Sequence, residues 1–431
     1  MTQRPLTEHL REDGQPLGIE EYEKGGGYQG LRKAILQMTP DEVLAEVRAS
    51  NLRGRGGAGF PTGMKWSACA TESGLRKPKY VISNSDEMEP GTFKDRLLMQ
   101  ANPHQLLEGL IICGYATEAE IGYLFLRWAY LASAKSLMRA VAEAYEKGYL
   151  GEKILGSKFS MDVKMHTSAG RYICGEETAL LNALEGVRPI PRSRPPFPAQ
   201  CGLWGRPTVV NNAETLSNVP HILRNGAAWY KSLTTSPDGG TKMYGVSGRV
   251  KRPGLWELPM GTPIRELLEG HAGGMIDGYR LRGVIPGGAS TDFLTEAHLD
   301  VKMDFDSMQK AGSRLGTGTM IILDDKTCPV GLVLNLERFF ARESCGWCTP
   351  CREGLPWIVR ILEAIEKGEG EQGDLDVLEW QAQALGPGKT YCVHAPGAVE
   401  PLQSALKYFK DDFEQHIREK KCPWKTKTGK N

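Results

Sequence analysis

Apolar and polar positions change their rhythm several times along the chain. Residues 1–30 are polar and loop-like and end in GGGYQG. PDEVLAEVRASNL then sets Val43, Leu44 and Val47 at helical spacing, behind Pro40 and an acidic first turn. Tyr80 to Ser83 is a short apolar run that predicts a strand opening into the polar loop NSDEMEPG. Helical patterns follow at about 103–116 and 132–148, and VKMHTSAGRYICGEETALLNALEG (163–186) predicts strand, loop and a helix beginning near Glu176. The proline-rich run 190–212 does not sustain regular structure for long. The composition shifts at SPDGGTK (236–242), and MYGVSGRVKRPGLWELPMG reads as a hairpin around Arg252, Pro253 and Gly254. A short helix in PIRELLEGHAGG and strands in YRLRGVIPGGAS and TMIILDD complete a small α+β unit, about 242–325. From Gly331 the pattern is helical to the end, through LVLNLERFFARES, LPWIVRILEAIEKGEG, LDVLEWQAQAL and VEPLQSALKYFKDDFEQHIREK. No internal repeat is present.

The 431 residues suit two or three domains at about 150 residues each. Basic and acidic residues number 53 and 52, and this balance points to neither nucleic acid nor a membrane surface. The basic tail KKCPWKTKTGK reads as a solvated end. The N-terminal stretch has no apolar core of the kind a secretory leader carries, and no apolar run reaches the ~18 residues of a membrane span. The longest, LLEGLIICGYA, is interrupted by Glu108 and reads as a buried helix. The expectation is a soluble protein in a compartment that keeps thiols reduced.

Three of the ten cysteines fall within ESCGWCTPCREG, as Cys345, Cys348 and Cys351. The C-x2-C-x2-C spacing lets one loop supply three thiolates to a metal centre. A fourth ligand must come from elsewhere. Cys392 in GKTYCVHAPG is favoured because it lies in a loop of the same helical segment, while Cys328 and Cys422, each followed by proline, are alternatives. Three thiolates in one run suit an iron–sulfur cube better than structural zinc, which usually takes two separated pairs. Zinc and unconnected thiols remain the competing readings. Cys69, Cys113, Cys174 and Cys201 sit among apolar residues and read as core.

Gly54, Gly56, Gly57 and Gly59 crowd RGRGGAGFPTGMKW (53–66). The segment before this loop reads as a helix, which excludes an ordinary dinucleotide-binding turn, since that turn follows a strand. Four glycines in six positions still allow close backbone approach to a ligand, with Phe60 able to stack and Lys65 able to meet a phosphate. The competing reading is a merely tight loop. Asn84, Asp86, Glu87 and Glu89 follow the predicted strand, Glu176 and Glu177 start a helix, and Asn211 and Asn212 precede another. Helix capping accounts for one such group. Three of them beside a glycine loop suggest one shared pocket at element ends.

GRGGAGFPTGMKW, NSDEMEPGTFKDR, GRYICGEETALLNALEG, VNNAET and ESCGWCTPCREG, in this order across about residues 20–420, closely resemble the flavoprotein NADH-binding (51 kDa) subunits of respiratory complex I. The resemblance implies an α/β multidomain fold. A Rossmann-like FMN- and NADH-binding domain would occupy 1–240, a ubiquitin-like β-grasp (SLBB) domain 241–328 and a helical [4Fe–4S] domain 329–431. It places FMN contacts on Gly54, Gly56, Gly57, Lys65, Asn84, Asp86, Glu87, Tyr172, Gly175, Glu176, Asn211 and Asn212, with Arg55, Ala58, Gly59 and Val210 in the same motifs. NADH contacts fall on Phe60, Glu89, Glu177, Phe197 and Arg194, and cluster ligands on Cys345, Cys348, Cys351 and Cys392. Two positions depart from the family pattern: Ala213 stands where valine is common, and Ala68 where some relatives carry an aromatic residue. The implied reaction passes hydride from NADH to FMN, positioned by Glu89 and Glu177 with no catalytic side chain, then single electrons to one [4Fe–4S] cluster. The implied partners are a thioredoxin-like [2Fe–2S] subunit and a large multi-cluster subunit of a hetero-oligomer. These would hold the chain peripherally at the inner face of a bacterial plasma membrane, with no nucleic acid and no membrane insertion of its own. Two other roles compete: the diaphorase subunit of an NAD-reducing hydrogenase or NAD-dependent formate dehydrogenase, and a non-enzymatic zinc scaffold.

Overall fold

The computed structural model describes residues 3–70 and 77–425; positions 426–431 of the basic tail lie outside the described residues. Contacts divide the chain into two units. The first comprises residues 1–88, 92–244 and 256–261, and the second 89–91, 245–255 and 262–431.

The first unit is built on a parallel sheet of β1 (Tyr80–Ser85), β2 (Ile121–Leu126), β3 (Asp162–Thr167) and β4 (Thr208–Asn212), in the order β3-β2-β1-β4. Helical crossovers connect the strands, as parallel pairing requires. Lys94–Ala101 and Pro103–Thr117 lie between β1 and β2, Leu131–Glu146 between β2 and β3, and Glu177–Leu184 between β3 and β4. The chain steps outward from β1 to β3, then returns to place β4 on the other side of β1. Strand order therefore reverses between β1 and β4, the position at which open α/β sheets form a ligand crevice beyond the carboxyl ends of their strands. Register sets Ser83 opposite Asn211 and Asn84 opposite Asn212 at its mouth.

Helix Pro103–Thr117 is buried on nearly all sides, as expected for the run around Glu108. The Glu108 carboxylate is satisfied by the Tyr22 hydroxyl at 2.6 Å and by the backbone N–H groups of Tyr28 and Leu31 at 2.8 and 2.9 Å. The next residue must be glycine, because a Cβ on Gly109 would lie 2.0 Å from the Leu216 carbonyl of helix Ala213–Asn225.

A second sheet is made of β5 (Thr241–Ser247), β6 (Gly254–Pro259), β7 (Leu281–Ile285) and β8 (Thr319–Asp324), in the order β6-β5-β8-β7. β5 and β8 are parallel, and β7 and β8 antiparallel with an irregularity between Leu281 and Gly283. The short helix expected in PIRELLEGHAGG is a π-helix, Glu266–His271. Helices Pro329–Glu343, Thr349–Lys367, Asp374–Ala384, His394–Tyr408 and Lys410–Glu419 follow. The last helical pattern of the sequence is thus two helices. They part at Phe409 (φ −128°), whose buried ring packs edge-on against Phe293 at 5.3 Å. Among the described residues no helix is long and apolar enough to cross a membrane.

Candidate cofactor sites

The glycine loop lies between helices Pro40–Ala49 and Thr62–Ala70, so a helix does precede it. Gly57 (φ +125°) and Gly59 (φ +66°) have backbone conformations that side chains disfavour. The loop is fastened over the start of helix Ala213–Asn225: Arg55 N–H donates to the Thr215 hydroxyl at 2.8 Å, and a Cβ on Gly56 would press on the Asn212 Cβ at 3.1 Å. From beneath, Arg53 holds the loop through the Gly59 carbonyl at 2.7 Å and Asp238 at 3.0 Å. Arg55 differs from a phosphate-facing cation. Its side chain is fully buried and donates to the Tyr230 hydroxyl and to the carbonyls of Gly239 and Thr241. Ala58 and Phe60 are exposed, Phe60 at 51%.

Asn212 ends β4 and caps the helix that follows, its Oδ1 accepting from the N–H groups of Glu214 and Thr215 at 3.0 and 3.4 Å. Its Nδ2 donates to Asp95 at 2.6 Å. Behind this cap lies a buried ion network in which Lys94 meets Asp95 at 2.7 Å and Glu214 at 2.8 Å, and Lys242 meets Glu214 at 3.4 Å. Burial opposes charge on Lys94, but the two carboxylates hold its ammonium above its ordinary pKa. Burial wins at Lys242, whose pKa falls to about 7. Neighbouring Asn211 accepts from the Trp66 indole N–H at 2.7 Å, and Val210 from Lys65 Nζ at 3.1 Å.

At the end of β1, Asn84 bridges to Gly175, its Nδ2 donating to that carbonyl at 2.9 Å. Gly175 closes the 3-10 turn that begins at Tyr172. Asp86 is 5% exposed and accepts from the Ser168 hydroxyl at 2.9 Å through Oδ1, while Oδ2 is buried with no partner. Burial pushes this carboxyl up to about 6. Glu87 turns into the protein instead. It accepts from the N–H groups of Asp95 and Arg96 and from the Tyr130 hydroxyl, and burial raises its pKa to about 7. Glu176 caps helix Glu177–Leu184 through the N–H groups of Thr178 and Ala179, so the capping reading holds for this residue. Arg194 pairs with Glu176 and, at 3.1 Å, with Glu177, which also meets Lys65 at 3.0 Å. Phe197 is 53% exposed. Glu89 belongs to the second unit, where its carboxylate accepts from Ser290 N–H at 2.7 Å.

Lys94, Asp95, Ser168 and Thr215 hold the site residues in place and were not singled out by sequence. The adjacent Lys-Asp pair opening a helix in NSDEMEPGTFKDR was the available signal for two of them. The first unit fits a flavin mononucleotide on its own geometry. It presents an orphaned buried acceptor just past β1, a glycine loop in which Gly57 and Gly59 hold positive φ and a Cβ on Gly56 would press on Asn212, and a lysine in the helix that follows.

In the second unit Cys345 and Cys348 lie in the loop after helix Pro329–Glu343, and Cys351 falls in the first turn of Thr349–Lys367 rather than in the loop. Cys392 precedes helix His394–Tyr408, whose first residue, His394, bonds the Phe340 carbonyl at 2.9 Å and so ties this segment to the loop's own helix. Cys345, Cys348 and Cys392 all lie within electrostatic reach of Cys351. Burial, then repulsion from Cys348, Cys392 and Cys345, pushes the Cys351 thiol up to about 12, against a bond with the Ser344 hydroxyl at 3.1 Å. Four soft donors gathered at a loop and two helix starts suit an iron–sulfur cube. Cys69, Cys113 and Cys174 are buried as core residues, and Cys201 is partly exposed.

Comparison with known proteins agrees on the two cofactor-binding regions. Residues 47–221 match the Nuo51 FMN-binding domain, 243–294 the SLBB domain, and 331–416 the NADH-ubiquinone oxidoreductase-F iron-sulfur binding region. The NADH-quinone oxidoreductase F subunit of Salmonella typhimurium is 58% identical over 415 residues, covering 96% of this chain and 93% of that protein. Its Escherichia coli counterpart matches equally, at 58% over 415 residues and the same coverage. The Streptomyces coelicolor protein of that name is 46% identical over 420 residues, 97% of this chain and 92% of its own. Among solved structures, an air-oxidized NAD+-reducing [NiFe]-hydrogenase aligns at TM-score 0.82 and 33% identity, over 94% of this chain and 67% of that one. On identity and coverage together, the chain belongs to the 51 kDa flavoprotein (NuoF) family of NADH-quinone oxidoreductase.

Proposed function

We propose that the chain takes electrons from NADH at the crevice of its first unit and delivers them singly from its four-cysteine site to partner subunits of an NADH-quinone oxidoreductase. The observation that carries this reading is the buried, unpartnered Asp86 oxygen at the point where strand order reverses. Bound FMN would supply hydride acceptance and one-electron release, and a [4Fe–4S] cluster a one-electron relay.

The remaining tasks fall to the chain's own groups. Asp86 Oδ2 accepts a hydrogen bond from a sugar-alcohol hydroxyl of the cofactor, and Asn84 beside it sets the edge of the site. Gly54, Gly56, Gly57 and Gly59 let backbone approach the cofactor, and Lys65 offers a positive charge to its phosphate. Tyr172, Gly175, Val210 and Asn211 line the site. Glu87, Glu176 and Asn212 fix the ends of the surrounding helices. The exposed rings of Phe60 and Phe197 offer stacking faces to NADH. Glu177 accepts hydrogen bonds at the nicotinamide end, and Arg194 balances its charge. Cys345, Cys348, Cys351 and Cys392 hold the cluster. The partners are a thioredoxin-like [2Fe–2S] subunit and a large multi-cluster subunit, which keep the chain at the cytoplasmic face of a bacterial membrane.

The test is the visible spectrum of the anaerobically purified assembly before and after NADH. Flavin bleaching with iron and acid-labile sulfide present supports the reading. A colourless, zinc-containing protein that does not respond to NADH overturns it. Copurification with a quinone-reducing membrane arm separates this role from that of a hydrogenase diaphorase.

A further inference from the structure

A second set of metal-ligating side chains lies in the C-terminal helices, made of residues distinct from the four cysteines above. Cys328, Glu366, His416 and Cys422 bring one ligand atom each to within 4.8 Å of one another. Glu366, His416 and Cys422 are buried, and Cys328 is half-buried. Cys328 Sγ lies 3.3 Å from His416 Nε2 and 3.5 Å from Glu366 Oε2, and those last two atoms are 3.3 Å apart. A tetrahedral zinc ion with Zn–S of about 2.3 Å and Zn–N or Zn–O of about 2.0–2.1 Å spaces its donors about 3.3–3.8 Å apart. The side chains therefore stand near ligand spacing already.

The surroundings are those of a metal site as well. His416 Nδ1 bonds the Asp412 carbonyl at 2.7 Å, which assigns the ring proton to Nδ1 and leaves the Nε2 lone pair facing the cluster. Trp424 stacks on the imidazole at 5.7 Å between centroids and fixes its plane. Cys328 caps helix Pro329–Glu343, and its sulfur accepts from Gly331 N–H at 3.2 Å. Glu366 keeps its second oxygen on Lys425 at 2.9 Å. Two thiolates and a carboxylate bring three negative charges, which a divalent ion and Lys425 balance.

We infer that Cys328, Glu366, His416 and Cys422 form a structural zinc site that staples the segment around Cys422 to the helices that carry Glu366 and His416 and to the helix that Cys328 caps. All four corners come from protein, so the ion has no open position for catalysis. Cys422 lies within a segment that sequence alone reads as a solvated tail, and the site gives residues 420–425 of it a fixed place.

The test uses the full chain, loaded with iron, incubated with zinc chloride and passed through a desalting column. Zinc and iron are then measured on the same sample. One zinc per chain beyond the iron is expected, with an X-ray absorption edge showing two sulfur and two nitrogen or oxygen neighbours. Cys328→Ser/Cys422→Ser should retain about tenfold less zinc or lower still with iron unchanged, and Cys392→Ser should lose iron and keep zinc. Zinc retained equally by the double variant overturns the proposal. So does a wild-type chain that keeps its iron and retains no zinc. If the double variant does not fold, the wild-type absorption spectrum decides, because four sulfur neighbours would place the ion on the other cysteines.

Discussion

In the crevice of the first unit, Asn212 and Glu176 cap helices, Glu87 serves the first turn of another, and Asn84 ties the end of β1 to the turn at Gly175. These bonds exist among the chain's own groups, so the frame around a flavin stands without one. The cysteine loop of the second unit is arranged differently. Burial first, and then Cys348, Cys392 and Cys345, hold the Cys351 thiol protonated, and only a metal centre turns that arrangement into bonds. One site is prepared by folding; the other is completed by what it binds. Substitutions should therefore act on stability and affinity together in the crevice, and on metal content alone in the loop.

The largest effect expected is at Cys392. Cys392→Ala should lose the cluster and cut electron delivery to partner subunits by about 100-fold, while FMN content and flavin bleaching by NADH persist. Iron analysis with a bleaching assay checks this, and a parallel loss of FMN would break the comparison.

Asp86 comes next. Its folded pKa of about 6 lies above the ordinary 3.8, so the folded chain binds the proton more tightly and stability falls as pH rises from about 4 to 6. FMN-free Asp86→Asn should equal wild type below about pH 4 and exceed it by about 3 kcal/mol above pH 6. Urea unfolding of the two FMN-free chains across that range measures the difference. Asn212→Ala removes a cap and the bond to buried Asp95, and should lower stability by about 2 kcal/mol, read as a fall in the urea midpoint. The smallest effect belongs to the exposed rings. Phe60→Ala or Phe197→Ala should raise KM for NADH by about 5-fold, roughly 1 kcal/mol, with kcat and thermal midpoint unchanged.

The contrast between the sites also explains what the sequence discloses. Three thiols at a spacing of three are adjacent along the chain and legible at once, and Cys392 follows from its place in the same helical segment. The crevice is legible as glycine, acidic and asparagine loops at element ends, but not as a sheet. IGYLFL, which forms β2, lies between two long helical patterns and lacks alternation, because a central parallel strand is buried on both faces. TVVNN forms β4 with only five residues after a proline-rich run, and it is a strand because β1 pairs with it. Arg55 reads as a loop cation until its acceptors at Tyr230, Gly239 and Thr241 are seen, about 180 residues away. The quartet of Cys328, Glu366, His416 and Cys422 is scattered for the same reason: helix packing gathers it, and no spacing announces it.

The direct test of a crevice prepared for flavin is the FMN dissociation constant of the refolded chain, wild type against Asp86→Asn, at pH 7. The account predicts weaker FMN binding, by about tenfold, in the variant whose FMN-free form is the more stable. Equal affinity, or tighter binding by Asp86→Asn, would contradict it.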